Sequence, residues 1–344
     1  MLIFTHRALN GAADESAFGR SFTPGSNRLA LADVQRGSGG AAWLVSQHDA
    51  DVDDGDSLRA LLPRFQGSRP VLVYLHGNNN PPAACFERCE RLAALYDVEV
   101  IGFSWASEGF LPDGGALSSL PDGPAGDEAE LQGVSEANRT DSAVQRKMRR
   151  YRQAKTNAQD AVDALARFFR MLGTARLYAN AQPFTVAAHS LGAHFLQHTL
   201  NVPGAAESLG TAHNVALLAA CTDAAGHPDW LANVRPRGST FVTYNHDDSV
   251  LYGASIADGG TVILGADPGG RRLRSPAVRY ISFTHWRVGL GGHGYFVMKN
   301  MPKKSLKLFT RIFGSRPDLE PGEPPKRVYP MGCDADGVTC YMAP

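Results

Sequence analysis

The sequence predicts an α/β protein with a mostly parallel central sheet, flanking helices and an antiparallel N-terminal edge. Three observations carry that prediction. From about residue 70 onward, short apolar runs alternate with stretches of helical period, the pattern of repeated strand–helix–strand units. The chain has 344 residues, 43% of them hydrophobic, enough to bury a sizeable core in one large domain. No internal repeat replaces that single core with stacked modules.

Taken in order, residues 1–69 hold short strand-like pieces, Leu2 to Thr5, Leu29 to Val34 and Ala42 to Val45, separated by Gly, Asp and Ser. They read as antiparallel edge strands appended to a core over 70–300. Val71 to Leu75 is its first buried strand and Val98 to Phe103 the next; between them Pro81 to Tyr96 carries helical spacing at Phe86, Cys89, Leu92, Ala93 and Tyr96. Residues 109–145, rich in Gly, Pro, Asp, Ser and Glu, lack periodicity and read as an insertion, either a disordered loop or a lid. The basic run Arg146, Lys147, Arg149, Arg150, Arg152 and Lys155 reads as a solvated helix face, with attraction to an anion or a membrane as the alternative.

Thr156 and Gln159 then form a capping-box pattern, which predicts a helix starting near Thr156 with one apolar stripe, Ala158, Val162, Leu165, Phe168, Phe169 and Leu172, ending before Gly173. Phe184 to Ala188, Val215 to Ala219, Thr240 to Tyr244 and Val278 to Phe283 supply four more strands. Residues 301–344 add an amphipathic helix around Leu306 to Phe313, expected to dock on the body, and a Pro-rich tail.

The strongest chemical signal is Ala188-His189-Ser190-Leu191-Gly192, directly after a buried strand and directly before the helical run from Ala193. Small residues two before and two after a serine let the chain turn sharply from strand to helix and hold the hydroxyl in a strained, exposed position. A serine hydroxyl is a weak nucleophile at neutral pH and needs a base, oriented by a third group. With the order serine, acid, histidine, the strand ending at Tyr244 leads to Asp248 as the acid, with Asp247 and, after an earlier strand, Asp223 as alternatives. The base is His293, among glycines, with His285 as the alternative beside Trp286. His189 reads as a packing neighbour of the nucleophile. For the oxyanion, the turn Leu75-His76-Gly77-Asn78-Asn79-Asn80 leaves an early strand, so the expected donors are the backbone N–H groups of Asn78 and Leu191. His76, Phe103, Trp105, Phe110, His189, Leu251 and Tyr295 are candidates for a substrate pocket, and the aromatic ones equally for core.

With these residues assembled, the chain resembles a family of bacterial predicted serine esterases in the α/β-hydrolase superfamily. The likeness covers about residues 70–300. It rests on Tyr74 to Asn78, Phe103 to Ser107, the Ser190 turn, Tyr244 to Leu251 and His293 to Phe296. The resemblance implies Asp248 as acid and His293 as base. The chain departs from the family at Ala106, where a proline is usual, and in the 109–145 insertion.

Composition narrows the rest. Thirty-four basic residues balance 34 acidic ones, so no overall charge draws the chain to nucleic acid or an anionic membrane, and an uncharged ester fits. Residues 1–7 lose apolar character too soon for a signal peptide, and no apolar run reaches the ~18–20 residues of a membrane span. The odd count of five cysteines, with no CxxC, points to free thiols, with pairing of Cys333 and Cys340 across a tail loop as the alternative. Gly289 to Gly294 fits GxGxxG literally but opens no helix, and neither a phosphate-loop lysine motif nor HExxH occurs, so no cofactor and no metal are expected. The expectation is a cytoplasmic serine esterase for small or medium acyl chains. Lipase, amidase or acyltransferase are alternatives with the same triad, and a catalytically silent binding module is the alternative of another class.

Overall fold

A computed structural model describes residues 1–40, 42–47, 51–117, 131–286, 291–315, 331–333 and 339–342. The strands are β1 (Leu2–Thr5), β2 (Arg7–Leu9), β3 (Phe18–Phe22), β4 (Ala30–Arg36), β5 (Trp43–Gln47), β6 (Val71–Leu75), β7 (Glu99–Ser104), β8 (Phe184–His189), β9 (Asn214–Leu218), β10 (Thr240–Tyr244), β11 (Val278–Ser282), β12 (Met331–Cys333) and β13 (Thr339–Met342). The helices are α1 (Asp54–Phe65), α2 (Pro82–Tyr96), α3 (Ser142–Asp160), α4 (Val162–Tyr178), α5 (Leu191–Thr199), α6 (Ala205–Leu209), α7 (His227–Leu231), α8 (Ser249–Ala257) and α9 (Lys303–Phe313).

One 11-stranded sheet runs β12-β13-β11-β10-β9-β8-β6-β7-β1-β4-β5, and β2 pairs with β3 in a separate hairpin. From β13 to β1 the neighbours are parallel, while β4, β5 and β12 join antiparallel. The α/β class with a mostly parallel sheet and an antiparallel edge is what the alternating apolar runs predict. The parallel strands are buried on both faces, so they read as continuous apolar runs.

Alternation along β1 and β8 assigns the helices to faces. Phe4 packs on Phe168 of α4 at 4.7 Å between ring centroids, whereas a Cβ built on Gly102 of β7 would meet Ile3 and Cys89 of α2. Phe184 of β8 meets Phe65 of α1, while the next residue, Thr185, donates from Oγ1 to the Ile312 carbonyl of α9 at 3.0 Å. Asn214 Nδ2 donates to the same carbonyl at 3.0 Å. Buried side chains of β8 and β9 thus satisfy a carbonyl in the last turn of the tail helix, the group a helix end leaves without an internal partner. Docking of that helix on the body follows.

Several expectations need correction. β1 is no appendage: it lies inside the main sheet, parallel to β7 and antiparallel to β4. No helix starts at Thr156, which sits inside α3 and donates from Oγ1 to the Arg152 carbonyl; the helical path breaks at Ala161 without a side-chain cap. The first turn of α3 takes up residues 142–145, assigned from sequence to the insertion. Residues 118–130 of that insertion, 287–290 of the glycine-rich loop and 316–330 of the tail lie outside the described residues, so the lid expectation does too. Cys85, Cys89 and Cys221 are free, but Cys340 is disulfide-bonded, and its register partner is Cys333. A hairpin brings these positions face to face, which composition alone cannot show. No helix among the described residues is long and apolar enough to cross a membrane.

Two stability outcomes follow. Phe168 also meets Phe103 at 5.3 Å and is fully buried, so Phe168→Ala is expected to cost about 3–5 kcal/mol in urea unfolding, against less than about 0.5 kcal/mol for the exposed Leu177→Ala. His6, edge-on to Phe22, is held neutral because burial lowers its pKa from 6.5 to about 3. The unfolded chain binds that proton first, so stability rises with pH between about 3 and 6.5 and falls as pH drops through that window. In His6→Phe the slope of unfolding free energy against pH over that window is expected to shrink by up to one proton's worth; an unchanged slope would place the acid sensitivity elsewhere.

Candidate active site

The carboxyl ends of β6, β8, β9, β10 and β11 lie along one edge of the sheet. From β6 the chain goes first to β7 on one side and then to β8 on the other, so the crevice between β6 and β8 is the switch point at which open α/β sheets bind ligands.

Ser190 closes β8 with φ 52° and ψ −122°, a region L-residues rarely occupy. Its side chain makes no capping bond to α5, so it is not there to cap the helix. The backbone is held from both sides: Ser190 N–H donates to the Leu218 carbonyl at 2.9 Å, and its carbonyl accepts from Cys221 N–H at 3.0 Å. Gly192 lets α5 come against β6: a Cβ there would lie 2.7 Å from both the Leu75 and His76 carbonyl oxygens.

Asp248 and His293 are brought together. Asp248 caps α8, its Oδ1 accepting from Val250 and Leu251 N–H at 3.0 Å each, and its Oδ2 lies 2.7 Å from His293 Nδ1 with both side chains fully buried. With both carboxylate oxygens accepting, Nδ1 carries the proton and Nε2 is the basic nitrogen of the neutral ring. The loop bearing His293 is tied to the loop bearing Asp248. Asn245 Nδ2 donates to the Gly292 carbonyl at 3.0 Å, and Ser249 N–H to the Gly291 carbonyl at 3.1 Å. A Cβ on Gly292, whose φ is 68°, would strike Asn245 at 2.5 Å. The His293 ring lies 4.6 Å from that of His189, the residue before Ser190.

The alternatives fall elsewhere. Asp223 is exposed and accepts from Ala225 N–H within its own turn. Asp247 is 56% exposed and faces His285, which is 86% exposed, at 3.4 Å.

Asn78 is buried, its carbonyl accepts from Asn80 Nδ2 at 2.7 Å, and its own Nδ2 has no partner among the described residues. The turn is fastened to the end of β7: Asn79 N–H donates to the Ser107 carbonyl at 2.8 Å, and Asn80 N–H to Ser107 Oγ at 3.0 Å. Leu191, next to Ser190 at the start of α5, is fully buried.

Most of the pocket candidates are internal braces. His76 sits opposite the Gly77 carbonyl with Nδ1 and accepts from Trp105 N–H with Nε2 at 3.0 Å, while Trp105 Nε1 donates to the His76 carbonyl at 2.8 Å. Tyr295 bonds through its hydroxyl to Thr243 Oγ1 at 2.7 Å and Ala219 N–H at 3.0 Å, and burial pushes its phenol pKa up. Phe103 and Leu251 are core; His189 packs between His293 and Phe296. Phe110 lines a cleft of about 530 Å³ together with Arg7, Arg20, Asn79 and Arg150. Cys221, bonded through its backbone to Ser190, is no rival nucleophile, since burial pushes its thiol up to about 12.

Sequence reasoning missed Arg7, Glu108 and Arg150. Arg7 is buried against Glu108 and the Trp105 carbonyl, and Arg150 donates to Asn79 Oδ1 at 2.9 Å and to the Glu108 carbonyl at 3.2 Å. The only signal was Arg150's place in the basic run. No group of three His, Cys, Asp or Glu side chains among the described residues is arranged to hold a metal.

Comparison of the chain with protein-family models, curated proteins and solved structures finds no match.

The close approach at Gly192 is open to test. Gly192→Ala is expected to lose about 1–3 kcal/mol, seen as a lower urea midpoint with an unchanged m-value. Wild-type stability in that variant would mean the turn is not clamped against β6.

Proposed function

We propose that the chain is a serine hydrolase that cleaves carboxylic esters through an acyl-enzyme intermediate. One observation carries this reading: Ser190 holds a strained strand-to-helix turn at the switch point, next in sequence to a residue that packs on a buried histidine–carboxylate pair. Chain order supports it as well, since serine, Asp248 and His293 follow one another as in serine hydrolases built on such a turn.

In this mechanism His293 Nε2 takes the Ser190 proton as Oγ attacks the ester carbonyl. The negative charge then on the carbonyl oxygen is met by the N–H groups of Asn78 and Leu191. Asp248 fixes the tautomer of His293 and stabilises the imidazolium. His293 returns the proton to the departing alcohol, and water repeats the sequence on the acyl-enzyme. A carboxylate out of water is a strong orienting group only if its lone pairs are engaged; the α8 cap and His293 do this for Asp248.

Labelling with a fluorophosphonate probe tests the nucleophile, because the probe reacts with an activated serine. Wild-type protein is expected to label and Ser190→Ala not to; equal labelling of both removes Ser190. With p-nitrophenyl esters, kcat in Ser190→Ala is expected to fall on the order of 10⁴-fold or more. His293→Ala is expected to lose activity while His285→Ala keeps it. Asp248→Asn leaves the shape of the pair but reverses its preferred tautomer, for a loss on the order of 10⁴ in kcat; full activity there would detach Asp248 from the mechanism.

A further inference from the structure

Three consecutive asparagines follow Gly77, and they do different work. Asn79 takes φ 49°, a left-handed conformation that asparagine tolerates better than most residues, so the chain reverses there and leaves for α2. Its Oδ1 accepts from Arg150 Nη2 at 2.9 Å. Asn80 gives its Nδ2 to the Asn78 carbonyl at 2.7 Å and its N–H to Ser107 Oγ at 3.0 Å. Asn78 is 3% exposed, yet its side-chain Nδ2, with two N–H bonds to donate, has no partner among the described residues. A buried amide donor without a partner is a cost to folding, and the turn itself uses only the Asn78 carbonyl.

That amide sits beside the nucleophile. Strands β6 and β8 are parallel neighbours with Leu75 opposite Ala188. The same register carried two residues further sets Gly77 opposite Ser190, one strand spacing of about 4.8 Å away. The two chains are still in contact past the strand ends, because a Cβ on Gly192 would lie 2.7 Å from the His76 carbonyl oxygen. Asn78 is the next residue along, in the crevice between β6 and β8.

Attack by Ser190 Oγ on the ester carbon forms a C–O bond, while the carbonyl π pair moves onto oxygen and the hydroxyl proton goes to His293 Nε2. The oxygen so charged has three lone pairs, and the backbone N–H groups of Leu191 and Asn78 meet two of them. Resting on the serine-hydrolase reading above, we propose that Asn78 Nδ2 is a third donor to this oxyanion, which makes Asn78 a catalytic residue through its side chain as well as its backbone. When the intermediate collapses, the pair returns to rebuild the carbonyl and the alcohol leaves with the proton from His293. The neutral carbonyl of a bound ester accepts only weakly, so a donor unmet in the resting protein gains most when the oxygen is charged. Such a donor raises kcat more than it tightens substrate binding.

Two substitutions keep the backbone N–H and remove the amide: Asn78→Ala truncates the side chain, and Asn78→Leu replaces it with an apolar group of similar size. With p-nitrophenyl butyrate, both are expected to lower kcat on the order of 10²-fold while KM stays within about threefold. Both are also expected to weaken inhibition by 1,1,1-trifluoro-4-phenylbutan-2-one, a ketone that the serine converts to a tetrahedral adduct, by the same factor as kcat/KM. In urea, Asn78→Leu is expected to unfold at a higher midpoint than wild type, because it removes an unmet buried donor. A residue that merely supports the turn does not move activity and stability in opposite directions.

In an active wild type, kcat within about threefold of wild type in both variants overturns the third donor and leaves the esterase reading intact. A loss of activity that comes with a lowered midpoint in Asn78→Leu, or with unchanged inhibition by the ketone, overturns it as well. Wild-type protein that shows neither ester turnover nor fluorophosphonate labelling removes the hydrolase reading, and the donor with it.

Discussion

The conformation of Ser190 is the constraint around which the site is arranged. A non-glycine residue at positive φ costs on the order of 1–3 kcal/mol and persists only where its surroundings determine it more than once. Here three contacts do so. The Leu218 carbonyl and Cys221 N–H hold the two backbone polar groups of Ser190 from the end of β9, and the contact of Gly192 with the carbonyls of Leu75 and His76 sets the start of α5 against β6. The strained residue is therefore pinned by both neighbours of β8, and its side chain is left over from the helix-capping work a serine in that position otherwise does.

Because β8 is central, the groups around Ser190 arrive from opposite directions. Strands β10 and β11 deliver a carboxylate and an imidazole whose loops are tied by Asn245 and Ser249; β6 and β7 deliver a turn of backbone amides braced by His76, Trp105 and Ser107. The two halves do different physical work. One is a buried charge-bearing pair, costly to hold out of water unless every lone pair is engaged. The other is a fixed array of peptide dipoles that needs no reorganisation when charge develops nearby. On the proposed mechanism, rigid strands supply the precision both halves need, since an error of an ångström at a reacting centre is expensive.

The sequence made most of this frame legible, for a physical reason. Strands β6, β8, β9 and β10 are buried on both faces, so each is an uninterrupted apolar run with ends within about a residue of those read from sequence. Asp248 was legible because it sits just past β10, and His293 because it is a histidine among glycines downstream of the last parallel strand of the core. What escaped is non-local. β1 is only four residues long and gives no sign that it will pair with β7. The break at Ala161 carries no cap, while Thr156 and Gln159 imitate one inside a continuous helix. His76, Trp105 and Tyr295 look like ligand-facing groups because their residue types are versatile, yet each spends its polar atoms on a backbone or hydroxyl partner inside the protein.

The cleft was the least legible feature, because its charged walls come from segments that share no periodicity: Arg7 after β1, Arg20 on β3, Glu108 after β7 and Arg150 on α3. A basic run on a helix is read as a solvated face because each charge prefers water by several kcal/mol over an unpaired interior. That argument holds for Arg149, which is exposed, and fails for its neighbour. Adjacent residues on a helix point about 100° apart, so a run of like charges wrapped around α3 cannot all face solvent once the helix docks. Those that meet the body find acceptors there: Arg150 in Asn79 Oδ1 and the Glu108 carbonyl, Arg152 in the Ala257 carbonyl and Lys155 in the Asp258 carboxylate. Folding thus turns part of a run that composition assigns to the surface into a brace for the 76–80 turn.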